Sequence, residues 1–322
     1  MPSALVTGAS GFVGFHLSKK LLDSGFSPVY VSDNHVRGKF DSDFESLINL
    51  PGAKYLKGDL RSSDYVKSLP EVDYVFHLAA FNGTQNFYQF PWDVFDNSIR
   101  PTLLLLERYA QSSFTKFVYT GTSETYADAV THGLAAIPTT ENAPAYFLEL
   151  SNPRWSYAMA KTAGEVAIHS CHAQFGTTFQ IIRIHNLYGP RMGFEHVIPD
   201  LIRKQLHDDG EVLGSNQSRS FLYAEDAVQL MLELALNEKA DNQVINVGTS
   251  DEIIIKDLFD LLRDFTGFSG VMVDVGAPLG SVARRCPDLT KMDNLTQLKS
   301  RTDFHTGLKN TYNYIVEHPE VE

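Results

Sequence analysis

Apolar and polar positions in the first half of the chain alternate between two rhythms. Short runs, "ALVTG", "PVYVSD", "AKYLKGD", "VDYVFHLAA", "KFVYTGTS" and "TFQIIRIHN", stay apolar for a few residues and end in Gly, Asp, Ser, Asn or small residues. Longer segments with helical spacing lie between several of them: "FVGFHLSKKLLDSG", closed by Gly25, then "RPTLLLLERYAQSS" (Arg100 to Ser113) and "SYAMAKTAGEVAIHSCHAQFG". Strands apolar on both faces and separated by helices predict a doubly wound parallel sheet of the α/β class, here expected to have seven strands. Beyond about Leu187 the pattern loosens into the helices "HVIPDLIRKQL", "AEDAVQLMLELAL" and "IKDLFDLLRDF" with one short strand, "QVINVG". That change predicts a smaller C-terminal α/β lobe interleaved with the last strands. The boundaries expected are residues 1–185 and about 219–250 for the sheet domain, and about 186–218 and 251–322 for the lobe.

Composition narrows the function. The chain has 322 residues, 43% hydrophobic and 20% charged, with a formal charge of -12. An acidic balance argues against nucleic acid or an anionic membrane as a general partner, while leaving room for an anionic ligand held by a few clustered arginines. Two cysteines, Cys171 and Cys286, do not make a disulfide framework and fit a reducing compartment. No apolar run approaches the roughly 20 residues of a membrane span. The start, "MPSALVTGASGFVG", lacks the basic region of a signal peptide, so a cytoplasmic protein is expected.

The first strand-to-helix connection carries candidate chemistry. "TGASGFVG" spaces Gly8, Gly11 and Gly14 three apart, which allows a tight turn and lets backbone N–H groups and the positive helix end approach a pyrophosphate. Asp33 closes the second strand, where a carboxylate would accept ribose hydroxyls and repel a 2′-phosphate, so the cofactor expected is NAD; Arg37 stands nearby as a contrary charge. Asp59, ending the third strand in "KGDL", is expected on the adenine side or, alternatively, as a helix N-cap. "YAMAK" puts Tyr157 and Lys161 on one helix face. In this context Lys161 is expected to lower the Tyr157 phenol, which would take a proton from a substrate alcohol while Thr122, at the end of "KFVYTGT", holds the same oxygen.

These segments, together with "VFHLAA", "TSETY", "RIHNLYGPR", "RSFLYAEDA" and "RRCPD", resemble the extended short-chain dehydrogenase/reductase family nearly end to end. The likeness is to its nucleotide-sugar epimerases, dehydratases and decarboxylases. The resemblance implies a Rossmann domain, NAD, and a nucleotide-diphosphate sugar, UDP-linked by preference, oxidised to a 4-keto intermediate. It implies Thr122, Tyr157 and Lys161 as the catalytic trio, and Phe12, Val13, Leu60, Leu78, Ala79 and Ala80 as further cofactor contacts. Ser123, Asn186, Arg191, Val197, Arg219 and Arg285 become sugar-nucleotide contacts, and a homodimer packed through helices beside the sheet is implied. The dehydratases place an Asp–Glu pair after the threonine. Here Ser123 takes the Asp position, which counts against dehydration. Thr–Ser–Glu is the sequence of UDP-glucuronate decarboxylases, so Glu124 is expected either to serve proton transfer at C5 or to hold sugar hydroxyls or backbone amides. Decarboxylase or 4-epimerase is the main expectation; a 4,6-dehydratase, a non-catalytic NAD(H) sensor and a steroid or flavonoid reductase are the alternatives. His169, Cys171 and His172 lack a second ligand pair, so no metal is expected; His185 and His196 are expected as polar lining.

Overall fold

Seven apolar runs become the strands of one sheet: β1 Ala4–Thr7, β2 Val29–Asp33, β3 Ala53–Lys57, β4 Tyr74–His77, β5 Lys116–Thr122, β6 Phe179–Ile184 and β7 Gln243–Val247. The computed structural model describes residues 1–110, 116–277, 281–298 and 301–318. All pairings in the sheet are parallel, in the order β7-β6-β5-β4-β1-β2-β3. Chain direction across the sheet reverses between β1 and β4, so a crevice opens where their carboxyl ends diverge. Thr7, the last residue of β1, sits there opposite Ser32 and His77. β5 is buried along its whole length, which explains its unbroken apolar and small-residue sequence.

Helices α1 Phe12–Asp23, α2 Pro91–Tyr109, α3 Trp155–Phe175 and α5 Ala224–Leu236 cover the faces of the sheet, while α4 Val197–Leu206, α6 Ile255–Thr266 and α7 Phe304–Glu317 build the lobe. The helix expected over Arg100 to Ser113 begins earlier, with Pro91 in its first turn and Pro101 inside it. Its N-terminal half is rich in Asp and Asn, which hid the periodicity; positions 111–113 lie outside the described residues. α3 stops at Gly176, whose φ of 74° supplies the left-handed cap. Among the described residues, no helix is long and apolar enough to cross a membrane.

Besides the core that packs α2 and α3 onto the sheet through Leu105, Phe117, Tyr119 and Ile168, two large apolar cores form. One joins the sheet to α1 and α5 through Val6, Leu17, Val31, Leu230 and Ile245. The other packs α4, α6 and α7 through Ile198, Leu201, Phe259, Leu262 and Leu308. Leu289 and Met292 belong to the first core, so the segment expected wholly in the lobe returns to the sheet. In the lobe, strand Ser218–Ser220 pairs antiparallel with Glu252–Ile254 and parallel with Arg284–Arg285. The register sets Arg285 directly beside Arg219.

α3 approaches β5 so closely at Gly164 that any Cβ there would overlap the Tyr119 hydroxyl. Gly164→Ala should therefore destabilise the fold by about 1–3 kcal/mol despite its better helix propensity. Urea unfolding measures this, and an unchanged or raised midpoint would show that the contact yields freely.

Candidate active site

The cleft at the carboxyl end of the sheet has a volume of ≈ 860 Å³ and is shared by both lobes. Its floor on one side is the glycine loop. Gly8 adopts φ 71°, and a side chain at Gly14 would collide with the Gly8 carbonyl oxygen, so both positions keep the backbone close and open toward a ligand. The Asp33 carboxylate accepts the Ser10 N–H (2.9 Å) and the His35 N–H (2.7 Å), which fixes it at the end of β2 facing the cleft. Gly11, Phe12, Val13, Asp59, Leu60, Leu78, Ala79 and Ala80 line the same stretch. This cradle fits a dinucleotide: glycines at the helix N-terminus, an apolar wall, and a held carboxylate. Asp59 is engaged by Arg61 (2.7 Å) and does not cap a helix, because Ser62 caps Ser63–Ser68 through Tyr65 N–H. Arg37 is taken up by Glu195 and the Asn82 carbonyl, which leaves it a weaker claim on a 2′-phosphate.

At the middle of the cleft β5 ends at Thr122 and α3 presents Tyr157, while Lys161, one turn along the helix, is buried and does not line the cleft. The Tyr157 side chain lines the cleft with Thr122 and Asn82, and its ring stacks on Phe87 at 5.6 Å. Lys161 Nζ donates to the Thr120 carbonyl (2.8 Å) and lies 4.5 Å above the Tyr119 ring. The expected lowering of the phenol is not seen in the chain by itself. Burial and the Glu124 charge push Tyr157 up to about 12, against Arg37, Asn82 and Thr122. Burial also brings Lys161 down to about 7, opposed by the charge of Glu165 one turn along α3.

The far end is dominated by guanidinium groups. Glu124 accepts from Arg285 (2.6 Å) and from Arg154 (3.2 Å). Burial alone would raise this carboxyl, but Arg285 and Arg154 hold it down to about 2. It is therefore ionised at neutral pH and in that form can accept a proton or hydrogen bonds but not donate a proton. Arg219, beside Arg285, bonds only to neutral oxygens, those of Ser218, Ala283, Gln217 and Ser281, and among the described residues has no carboxylate partner. Burial and the neighbouring Arg285 lower it to about 9. Two guanidiniums thus share one carboxylate and the third, Arg219, has none, a surplus of positive charge that an anionic ligand would satisfy.

The remaining expected contacts divide. Ser123, Asn186 and Val197 line the cleft, and Asn186 donates to the Ser220 carbonyl (3.3 Å). Arg191 also borders it, but its guanidinium is fastened to Asp41 (2.9 Å) and Asp43 (3.0 Å) and stacks over Phe15. It joins the lobe to the sheet domain beside the cofactor loop, with its charge already neutralised. Sequence reasoning assigned no role to Arg154, Asn82 or Phe87. Arg154 was signalled only by its place directly before the helix of Tyr157. No cluster of metal-ligating side chains occurs among the described residues.

The sequence profile of the NAD dependent epimerase/dehydratase family matches residues 4–248. The chain belongs to that family. This epimerase/dehydratase member is 31% identical over 97% of its length to a UDP-N-acetyl-alpha-D-glucosaminuronate decarboxylase of Bacillus cytotoxicus, and covers 97% of that protein. It is 28% identical to UDP-glucuronic acid decarboxylase 5 of Arabidopsis thaliana, over 94% of its own length and 86% of the relative's. Among solved structures it is similar to UDP-glucuronic acid 4-epimerase of Bacillus cereus in complex with UDP-glucuronic acid and NAD. There the TM-score is 0.87 at 26% identity, covering 98% of this chain and 99% of the other. Membership of an NAD-dependent family agrees with the Asp33 cradle.

Asp33→Ala should weaken NAD binding by roughly 1–3 kcal/mol, because ribose hydroxyls and the Ser10 N–H lose their acceptor; titration calorimetry reads this directly. Equal binding of NAD and NADP by the unmodified chain would contradict it. The clamp on Glu124 has a pH signature. A carboxyl held at about 2 stabilises the fold above its ordinary pKa of 4.5, and that contribution disappears as pH falls through the folded value. The stability gap between wild type and Glu124→Gln should therefore narrow from about pH 6 to about pH 3 in urea unfolding. A gap that stays constant or widens would mean that the arginines do not hold the charge.

Proposed function

We propose that the protein is an NAD-dependent enzyme that decarboxylates a UDP-linked hexuronic acid through a 4-keto intermediate. The observation that carries this reading is the cluster of Arg154, Arg219 and Arg285 around the single carboxylate of Glu124, set beside Thr122 and Tyr157. A neutral sugar has no use for that surplus charge. A uronate carboxylate does.

Tyr157 and Thr122 flank the position a C4 hydroxyl would take, and the phenolate form of Tyr157 removes its proton. NAD, when bound in the Asp33 cradle, accepts the C4 hydride, later returns it, and lowers the phenol through its positive ring. Oxidation at C4 turns a C5-carboxylated sugar into a β-keto acid. The C5–carboxyl bond then breaks, carbon dioxide leaves, and the electron pair passes to the C4 oxygen as an enolate. Tyr157 and Thr122 receive that charge by hydrogen bonding, and the Arg37 charge favours the phenolate, with Lys161 assigned the same task from its place one turn along the helix. C5 is then protonated. Because Glu124 is ionised, its task in this scheme is to hold Arg285 and Arg154 facing the sugar, with the proton coming from solvent or a neighbouring donor. A second reading has its own support. The B. cereus neighbour is a 4-epimerase of the same acidic sugar nucleotide, and an ionised Glu124 suits a site that leaves C5 untouched.

We also infer a homodimer in the cytoplasm. Trp92, Phe95 and Leu103 form an exposed apolar stripe on α2, and Val166 is exposed on neighbouring α3.

The deciding experiment supplies UDP-glucuronate and UDP-N-acetylglucosaminuronate and measures carbon dioxide. Release from either supports decarboxylation; a C4-epimerised acid without release makes the epimerase the better reading. Turnover of neutral UDP-sugars alone would overturn both. Tyr157→Phe should fold and bind NAD normally while losing about 10²–10⁴-fold in kcat. Near-normal turnover by that variant would remove Tyr157 from the mechanism.

A further inference from the structure

Behind the wall of the cleft lies a polar network that the proposed mechanism does not use. The Asn246 amide donates to the carbonyls of Thr139 (3.0 Å) and Asp288 (3.3 Å), which fixes its nitrogen on that side. Its oxygen therefore faces the Tyr126 hydroxyl at 2.9 Å and can only accept. The single hydrogen of Tyr126 is committed to that contact. His185 Nε2 lies 2.6 Å from the same hydroxyl oxygen, so it must be the donor. Burial and the nearby cations Arg285 and Arg183 keep the imidazole neutral. One tautomer remains, with hydrogen on Nε2 and a bare lone pair on Nδ1. That Nδ1 is buried and has no partner among the described residues.

A matching defect exists on Arg285. One end of its guanidinium holds Glu124, but its Nε–H is buried with no acceptor among the described residues. His185 and Arg285 line the same small cavity of ≈ 10 Å³, closed in by Ser123, Tyr126 and Cys286. A space of about one probe sphere with at least two polar partners is the minimum that holds an ordered water. An unmatched donor and an unmatched acceptor therefore border one space of the right size.

We propose that His185 is a positioning residue for Arg285, acting through a single buried water that accepts from Arg285 Nε–H and donates to His185 Nδ1. The water completes a chain of fixed polarity from Asn246 through Tyr126 and His185 to Arg285 and Glu124. Each link has one direction, so the rotation of the Arg285 guanidinium in the cleft is set from behind. The consequence for turnover rests on the reading of Arg285 as a contact to the acidic sugar; the water site itself does not.

Two measurements separate these claims. A crystal structure fine enough to show ordered solvent should contain a peak within hydrogen-bonding distance of both His185 Nδ1 and Arg285 Nε. A dry cavity, or Arg285 Nε turned to a protein acceptor, overturns the proposal whatever the substrate proves to be. Kinetics then distinguish the two nitrogens of His185. His185→Asn places an oxygen near the position of Nδ1 but cannot reach Tyr126, whereas His185→Gln reaches Tyr126 but leaves nothing at Nδ1. On the acidic sugar nucleotide the enzyme turns over, the Gln variant should lose about 10- to 100-fold in kcat/KM, and the Asn variant less than about 3-fold. NAD affinity and unfolding midpoint should be alike in the two variants. The reverse order, Gln active and Asn impaired, would show that His185 acts only as a prop for Tyr126. Equal activity of both variants would also overturn the role.

Discussion

The ion pair between Glu124 and Arg285 is the constraint around which the site is arranged. Glu124 stands just past the end of β5, a strand buried along its whole length, and Arg285 comes from a two-residue strand in the other lobe. Neither charge is tolerable alone at that depth. A buried carboxylate without its guanidinium, or the reverse, costs several times what the intact pair contributes. The pair therefore does more to fix relative position than to add stability. It brings the lobe strand carrying Arg219 against the strand end carrying Thr122, and so sets the distance between the oxidising centre and the anion-attracting one.

The fold was legible because its physics is local. Apolar runs of strand length, separated by helical periodicity, gave the sheet, and the Gly8–Gly11–Gly14 spacing gave the turn into α1. Where the sequence misled, a neighbour supplied the missing information. The first half of α2 is polar enough to look like a loop, and it is helical because Val94, Ser98 and Thr102 are buried against the sheet domain. Met292 looks like part of the lobe but packs with the sheet, a fact set by where the chain returns.

The site was legible in its residue types and less so in their charges. Thr122 and Tyr157 both face the cleft, yet burial first and the Glu124 charge second push the phenol up. Arg191 was read as a ligand contact from its motif, but Asp41 and Asp43, about 150 positions away in the chain, occupy it. Arg154 went unassigned because nothing in a sequence says which way an arginine at a helix start will turn. Ionisation and pairing depend on groups brought together by the fold, and no periodicity encodes them.

The segment following Asp33 crosses to the opposite lobe and is fastened there twice, by Arg37 to Glu195 and by Asp41 and Asp43 to Arg191. Gly38, between these fastenings, lies directly against Ser10 and Gly11 of the glycine loop. A dinucleotide seated beneath it would leave only as those ionic contacts part, and among the described residues the sugar end of the cleft shows no such strap. In a reaction that gives back the hydride it takes, such an arrangement behaves as a sealed redox cell. Sugars pass through it, while the nicotinamide stays aboard and is insulated from the oxidation state of the surrounding pool.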